Sequence, residues 1–433
     1  MALDLIIIYA APMVGIWAAY MVTRKRREAH SAAKFTAARE AGLLEPASLH
    51  PVIDPAKCIG CGSCVRACPE GDIIGLIGGK ASLVEPSHCI GHGACEVVCP
   101  VNAITLVFGT ETRGVDIPNV AEDFQTNVPG IYIAGELGGM GLVRNAIEQG
   151  RQAIDSIRKV TRTGDRQMLD VVIVGCGPAG LSASLAAMQH KLRSVTVEQD
   201  SLGGTVAHFP RGKLVMTAPF TLPLVGKFNI RELSKEELIG FFMNIVRKTR
   251  LKINLGERVE SVARAPNGFE VRTTRSTYRT RSVLLTIGRR GTPRRLDVPG
   301  EDQTKVVYRL IDPEQYRGQH VLVVGGGDAA LEAACSVAEQ PGTTVTLSHR
   351  SGSFNRAKLK NRERVDEMRQ SGRLNVLFHS TIRQVEPDAV EIEADGSAQR
   401  LRNQAVIVCA GGILPTSFLE SMGIEVETKY GTA

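Results

Sequence analysis

The first long pattern in the chain is apolar. Leu5–Val22 runs eighteen residues without a charge, and with Leu3 and the lone Asp4 the stretch 3–22 is long enough for a helix of about 30 Å, the thickness of a bilayer core. Pro12 is tolerable there as a kink, and Trp17 and Tyr20 lie toward one end, as interfacial aromatics do. Arg24, Lys25, Arg26 and Arg27 follow at once. Basic residues after the apolar run, with no small-residue cleavage pattern, predict a single-pass anchor with an outside N-terminus, not a secretory leader. Residues 23–50 then read as a short helix and a cytoplasmic tether. Further along, short β-branched runs are followed by small-residue helical stretches at Asp170–Ala183 and Val321–Ala334. That alternation predicts parallel α/β units.

Composition narrows the class. The chain has 433 residues, 44 of them Gly, with 43% apolar and 22% charged residues, which excludes disordered, collagenous and coiled-coil proteins. The net charge of +7 includes the four-residue basic run, and 5% aromatics is too sparse for a base-stacking surface, so no nucleic-acid partner is expected. Seven of the ten cysteines fall between Cys58 and Cys99, whereas Cys176, Cys335 and Cys409 are scattered. Such clustering in an enzyme-sized chain points to metal and a reducing compartment, not to disulfides.

The cysteines are spaced Cys58-x-x-Cys61-x-x-Cys64-x-x-x-Cys68-Pro69, and the run recurs as Cys89-x-x-His92-x-x-Cys95-x-x-x-Cys99-Pro100. This is the iron–sulfur spacing in which the fourth Cys of each run ligates the other cluster. Cys58, Cys61, Cys64 and Cys99 are therefore expected to hold one 4Fe–4S cluster, and Cys89, Cys95 and Cys68 a second. His92 stands where the second run should have its second Cys. The second site is then either a 3Fe–4S cluster with His92 a bystander, or a 4Fe–4S cube completed by His92. Either raises its potential relative to an all-cysteine cube. Residues 51–108 resemble the two-cluster bacterial ferredoxins, a small α+β fold.

Gly175-x-Gly177-x-x-Gly180 opens a helix after the Asp170–Val174 strand, and Glu198 closes the next strand. The glycines admit a pyrophosphate to the helix N-terminus, and the acid suits a ribose hydroxyl. A second copy has Gly325, Gly327 and Ala330, but its second strand ends on His349-Arg350, with Arg356 and Lys358 close behind. Cations there suit a 2′-phosphate and favour NADPH over NADH. The expected fold class is α/β: two Rossmann-like dinucleotide-binding domains, the small ferredoxin domain and one transmembrane helix.

Residues 109–160 and 170–433 resemble the two-dinucleotide flavoproteins that include the thioredoxin reductases. HRSGSFNRAKLKNRER and EQDSLGGTVAHFP, with Gly204, are similar to the bacillithiol-disulfide-reductase-like branch. The resemblance implies FAD on the first loop (domain 170–290), NADPH on the second (domain 291–410), a return to the FAD domain at 411–433, and hydride transfer between nicotinamide and flavin. The family ends in a T-x-x-P-G-I-Y-x-A-G-D segment over the flavin. Its counterpart here is Thr126–Glu136, with Gly135 and Glu136 at the flavin, so the resemblance implies a circular permutation that places 109–160 ahead of the first loop. The Cys-x-x-Cys of thioredoxin reductases is missing.

Together these readings predict a membrane-anchored NAD(P)H-dependent flavin and iron–sulfur oxidoreductase at the bacterial inner membrane. Single electrons would pass through the clusters to a redox partner protein or a quinone-linked acceptor, in either direction. No side chain is singled out as a catalytic acid, base or nucleophile. The rival readings are a thioredoxin-like or low-molecular-weight disulfide reductase dependent on Cys176 or another single cysteine, and a non-enzymatic redox sensor. A homodimer is implied by analogy alone.

Overall fold

The computed structural model describes the chain except residues 1, 41–42, 47–48, 70, 90, 112–113, 140, 160–167, 210, 217–218, 230–232, 290, 356, 358 and 432–433, and except the side chains of 2–11, 88, 214, 216, 292 and 359. The chain divides into two compact units. One is Met1–Gly114 with Ser353–Leu359 and Tyr430–Ala433; the other is Val115–Gly352 with Lys360–Lys429.

The first unit opens with one helix, α1 (Ala2–Glu40), which carries Pro12 within it. Strand β1 (His50–Ile53) pairs antiparallel with β4 (Ile104–Val107). Between them lie the short helices α2 (Ser63–Ala67) and α3 (Ala94–Val97) and the hairpin of β2 (Ile74–Ile77) and β3 (Lys80–Leu83). The core is small and sulfur-rich: Cys58, Cys64 and Cys95 pack with Ile73, Ile74, Ala81, Ala103 and Ile104. Helix α1 is fastened to the hairpin by Lys34, whose ammonium bonds Asp72 and Glu85, each at 3.1 Å.

The structure corrects the membrane reading. Residues 3–22 belong to α1, which continues without a break through Arg24–Arg27 to Glu40. Among the described residues no helix is long and apolar enough to cross a membrane. The transmembrane helix, its orientation with the N-terminus outside and the inner-membrane location are withdrawn. The fold is mixed α/β with nucleotide-binding-like sheets.

The second unit is built on two sheets. In the first, β7 (Leu169–Val174) lies between β8 (Ser194–Glu198) and the Thr277–Leu285 strand, parallel to both. Five of the six β7 residues are buried, as expected of a strand covered on both faces. Helix α5 (Pro178–Gln189) follows β7 and buries nine residues, all but two of them Ala, Gly or Ser. Such a small-residue surface lets another helix come close. Helix α4 (Val143–Ile157) does so through Gly150, where a Cβ would stand 2.1 Å from the carbonyl oxygen of Ala179. Strand β6 (Ile131–Ile133) joins the same sheet, parallel to Thr277–Leu285, with Ile131 opposite Val283. Residues that precede the first glycine loop thus complete its sheet and cover its helix. Strand β5 (Val115–Pro118) pairs antiparallel with Val426–Lys429.

The second sheet has five strands in the order Val306–Val307, Ala405–Val408, His320–Val324, Thr344–Ser348 and Leu374–Leu377, all parallel. A three-stranded antiparallel sheet, Ser380–Val385, Ala389–Ala394 and Ser397–Arg402, accompanies it.

Candidate functional site

The two cysteine runs adopt the same local conformation. Gly60 and Gly62 in the first, and Gly91 and Gly93 in the second, all have left-handed backbones with φ between 69° and 81°. A side chain at Gly60 would collide with the carbonyl of Gly79 at 2.0 Å, and one at Gly91 with that of Leu49 at 2.4 Å. Each loop turns tightly into a one-turn helix that buries a cysteine, Cys64 on α2 and Cys95 on α3.

Two cavities result. One is lined by Cys58, Cys61, Cys64 and Cys99 together with Ile53, Ile59 and Ile104. The other is lined by Cys68, Cys89, Cys95 and His92 with Ile73 and Leu106. The cysteines are thus gathered across the two runs, with Cys99 joining the first set and Cys68 the second. Backbone N–H groups point at the sulfurs: Gly60 and Ala81 donate to Cys58 Sγ at 3.4 Å, and Ala103 donates to Cys99 Sγ at 3.2 Å. Such bonds stabilise thiolates and tune the potential of a bound cluster. Among the described residues no three His, Cys, Asp or Glu side chains converge as they would on a single ion.

Burial pushes the Cys64 thiol up and the Cys95 thiol to about 11, whereas the Ser63 hydroxyl holds that of exposed Cys61 below its usual value. His92 Nδ1 accepts the Ala94 N–H at 3.3 Å.

The first glycine loop is packed so tightly that only glycine fits. Gly175 has φ +98°, and a Cβ on it would meet the Thr286 carbonyl at 2.7 Å; one on Gly180 would meet the Gly175 carbonyl at 2.0 Å. At Gly177 the nearest atom would be 3.7 Å away, which leaves the approach to the α5 N-terminus open, a cradle that fits a pyrophosphate. Glu198, buried, accepts the N–H groups of Cys176 at 2.6 Å and Asp200 at 3.1 Å. Two carboxylate oxygens offer about four acceptor sites, so lone pairs remain for ribose hydroxyls. Gly204 rests on Gly177, where its Cβ would be 3.2 Å away, and Gly203 N–H donates to the Cys176 carbonyl. Gly135 adjoins α5, with Ala179 3.1 Å from its would-be Cβ. Glu136 follows in a short 3₁₀ turn, Glu136–Gly138. The first-fold residues Gly175, Gly177, Gly180, Glu198, Gly204, Gly135 and Glu136 therefore belong to one neighbourhood around the loop and α5.

The second loop repeats the arrangement. A Cβ on Gly325 would lie 2.4 Å from the Cys409 carbonyl, whereas Gly327, at the start of helix Asp328–Ala338, faces open space. Ala330 is fully buried beneath the loop. The His349 ring lies against Gly326, where a Cβ would meet it at 2.1 Å. His349 is also tied by backbone bonds to Leu377 and Ser380, and exposed Arg350 follows. Arg356 lies outside the described residues.

Outside the ferredoxin-like module the described cysteines form no exposed dithiol. Cys176 and Cys335 are buried, and burial raises both thiols, Cys335 to about 11. Cys409 is half-buried at the end of its strand.

Sequence reasoning missed Thr286, whose hydroxyl donates at the glycine loop, within 2.9 Å of the Val174 carbonyl and 2.8 Å of that of Gly175. It also missed Gln149, which accepts the Gly135 N–H at 2.8 Å. A threonine ending a buried strand beside a glycine loop is a signal that could have found the first. It also missed Lys80, whose ammonium reaches the Cys58 carbonyl at 2.6 Å.

Comparison with known proteins agrees with these two parts. Residues 50–100 match the 4Fe-4S dicluster domain, and residues 172–432 match the pyridine nucleotide-disulphide oxidoreductase family. The chain is 33% identical over 201 residues to a ferredoxin–NADP reductase of Ignicoccus hospitalis, covering 46% of this chain and 61% of that one. It is 29% identical to a ferredoxin–NADP reductase of Thermus thermophilus, covering 60% and 77% respectively. The chain spans 54–61% of the length of the first curated relatives it matches. In fold it is similar to the bacillithiol disulfide reductase Bdr of Staphylococcus aureus, with a TM-score of 0.55 at 22% identity over 60% of this chain and 82% of that one. The family match spans more than half of the chain, which therefore belongs to the pyridine nucleotide-disulphide oxidoreductases and carries a 4Fe-4S dicluster domain ahead of that region.

Proposed function

We propose that the chain is an NADPH-dependent flavin and iron–sulfur oxidoreductase that exchanges single electrons with a redox partner protein. The observation that carries this reading is the pair of cysteine-lined cavities in loops of one conformation, in a chain that also has two glycine-loop nucleotide folds. Bound FAD supplies acceptance of a hydride and its release as two single electrons. The chain's own residues bind and orient. Gly175, Gly177 and Gly180 admit a pyrophosphate to the α5 N-terminus, and Glu198 accepts ribose hydroxyls while holding the loop. Gly325, Gly327 and Ala330 do the same for NADPH, with His349 and Arg350 on its 2′-phosphate. Cys58, Cys61, Cys64 and Cys99 hold one 4Fe–4S cluster; Cys68, Cys89 and Cys95 hold the second, either a 3Fe–4S cluster beside His92 or a 4Fe–4S cube completed by it.

The chain order is read as permuted: β6 and α4 sit in the first sheet domain although they precede its glycine loop, as expected of a flavin-lining segment moved from the C-terminus. Ferredoxin–NADP reductases among the relatives support a protein partner. The buried Cys176 and Cys335 argue against thiol exchange.

The test is an anaerobic NADPH titration of the reconstituted protein followed by visible absorption and EPR. Flavin bleaching with a change in the cluster signals is the expected result. Bleaching with the clusters still oxidised would overturn electron flow from NADPH into iron–sulfur.

A further inference from the structure

The two cysteine loops share one backbone conformation but are covered by different parts of the chain. Leu49 covers the second: its carbonyl would stand 2.4 Å from a Cβ on Gly91, and Cys89 Sγ lies 4.0 Å from that same carbonyl. The β2–β3 turn covers the first. Gly78 and Gly79 make this turn with left-handed φ of 58° and 75°, which sets Ile77 opposite Lys80. Three successive residues then meet the loop. The Gly79 carbonyl lies over Gly60, the Lys80 ammonium donates to the Cys58 carbonyl at 2.6 Å, and the Ala81 N–H donates to Cys58 Sγ at 3.4 Å. A lysine held on both sides by backbone that is itself packed on the loop keeps its charge at Cys58.

Carboxylates of this part of the chain are engaged by other cations, Asp54 by Lys57 at 3.6 Å, and Asp72 and Glu85 by Lys34 at 3.1 Å. Arg24 also reaches the turn, 3.3 Å from the Cβ position of Gly79, but Glu28 matches its charge at 3.4 Å. Arg66 donates to the Cys61 carbonyl and to Ser63 Oγ, both at the longer distance of 3.4 Å. Two residues after the buried cysteine of its one-turn helix, where the first run has Arg66, the second run has the neutral Val97. An iron–sulfur centre gains negative charge on reduction, so a cation beside its ligand loop favours the reduced form.

We propose that Lys80 sets the potential of the first iron–sulfur site, its charge acting at the Cys58 loop to favour the reduced form. The proposal rests on the iron–sulfur reading above and adds a residue outside both cysteine runs that tunes it. His92 raises the second site relative to an all-cysteine cube. Lys80 raises the first, which narrows the gap that His92 opens, and an electron can then pass between the sites in either direction without being trapped on the second.

The test is a redox titration of the reconstituted full-length chain with chemical mediators, followed by EPR. It needs neither NADPH nor a partner protein, so its failure is separate from failure of electron flow from NADPH. Wild type is compared with Lys80→Met, which removes both bond and charge, Lys80→Gln, which keeps a donor without the charge, and Lys80→Arg, which keeps the charge. Both neutral variants are expected to shift the reduction equilibrium of the first cluster about threefold or more toward the oxidised form, roughly 30 mV for one electron. The second cluster should shift less, and Lys80→Arg should stay at the wild-type potential. If Lys80→Met does not assemble its clusters, Lys80→Gln gives the same reading. Equal shifts in both clusters, a shift in Lys80→Arg as large as in the neutral variants, or no shift in the neutral variants would each overturn the proposal. Absence of a first-cluster signal in the wild type would overturn the iron–sulfur reading of the site itself, and the proposal with it.

Discussion

Glu198 accepts the backbone N–H of Cys176 at 2.6 Å, so the acid that ends β8 holds the glycine loop that follows β7. One carboxylate therefore has two tasks, fixing the loop and presenting lone pairs to a ribose. Glu198→Ala removes both and leaves the buried Cys176 N–H without its acceptor, at a cost of about 1–3 kcal/mol. FAD retention is expected to weaken roughly 10- to 100-fold. Flavin fluorescence during dilution of the purified protein measures it, and retention equal to wild type would remove Glu198 from the binding site.

The same contact bears on thiol chemistry. Cys176 is fully buried, and burial with the neighbouring Glu198 pushes its thiol well above the ordinary value. A thiol held protonated and covered is a poor nucleophile. Native protein should resist alkylation at Cys176 until it unfolds. Cys176→Ala should keep NADPH oxidation within about twofold of wild type, with about 1 kcal/mol less stability from the lost packing. Loss of turnover in a folded Cys176→Ala protein would restore the disulfide-reductase reading.

Local chemistry was legible in the sequence; placement across the chain was not. Glu198 was found because strand, glycine loop and acid follow one another at a fixed spacing. The two cysteine runs were legible because they share one spacing, with His92 in place of the second Cys of the later run. Leu5–Val22 reads as a span by hydropathy, yet among the described residues no helix is long and apolar enough to cross a membrane. Neither the approach of Arg24 to Gly79 nor that of Lys80 to Cys58 has a local signature, since each depends on how separate elements pack. Thr286 and Gln149 stayed hidden for the same reason: their partners are backbone groups 112 and 14 residues away, respectively.

Stability of the first sheet domain should depend on acid pH through Asp170. It is buried at the start of β7, 3.1 Å from both Arg193 and Arg281. Burial favours its protonated form, but the bonds from Arg193 and the charge of Arg281 outweigh this, and the carboxyl is held below its ordinary value. A depressed carboxyl contributes stability above its unfolded pKa of about 3.9 and loses it as pH falls through the folded value. Asp170→Asn should cost about 2 kcal/mol at pH 7 and progressively less below pH 4. Urea unfolding at the two pH values checks this, and a loss independent of pH would contradict it.

Nucleotide preference should rest on Arg350. It follows His349, whose ring covers Gly326, and it lies at the carboxyl end of the Thr344–Ser348 strand, where an adenosine 2′-phosphate would arrive. A charge-assisted bond to phosphate is worth about 1.5–3 kcal/mol. Arg350→Ala should therefore raise KM for NADPH roughly 10- to 100-fold and leave KM for NADH nearly unchanged. Equal effects on both cofactors would mean that Arg350 acts on the fold of the loop and not on the 2′-phosphate.

His92 gives the sharpest test of the second iron–sulfur site. It occupies in its loop the position that Cys61 occupies in the first, between Gly91 and Gly93, both left-handed as Gly60 and Gly62 are. The loop conformation therefore needs no change to place a thiolate there. His92→Cys should convert the second site to an all-cysteine 4Fe–4S cube, whether the native site is a three-iron cluster or a histidine-ligated cube. A thiolate adds negative charge at the cluster and favours its oxidised form, so the midpoint potential of the second cluster should fall by on the order of 100 mV. The first cluster, whose cysteines are untouched, should keep its own potential. An EPR-monitored redox titration of both proteins reads the two clusters separately. A second cluster whose spectrum and potential ignore the substitution would place His92 outside the site, and loss of both clusters would mean that the ring serves only to pack the loop.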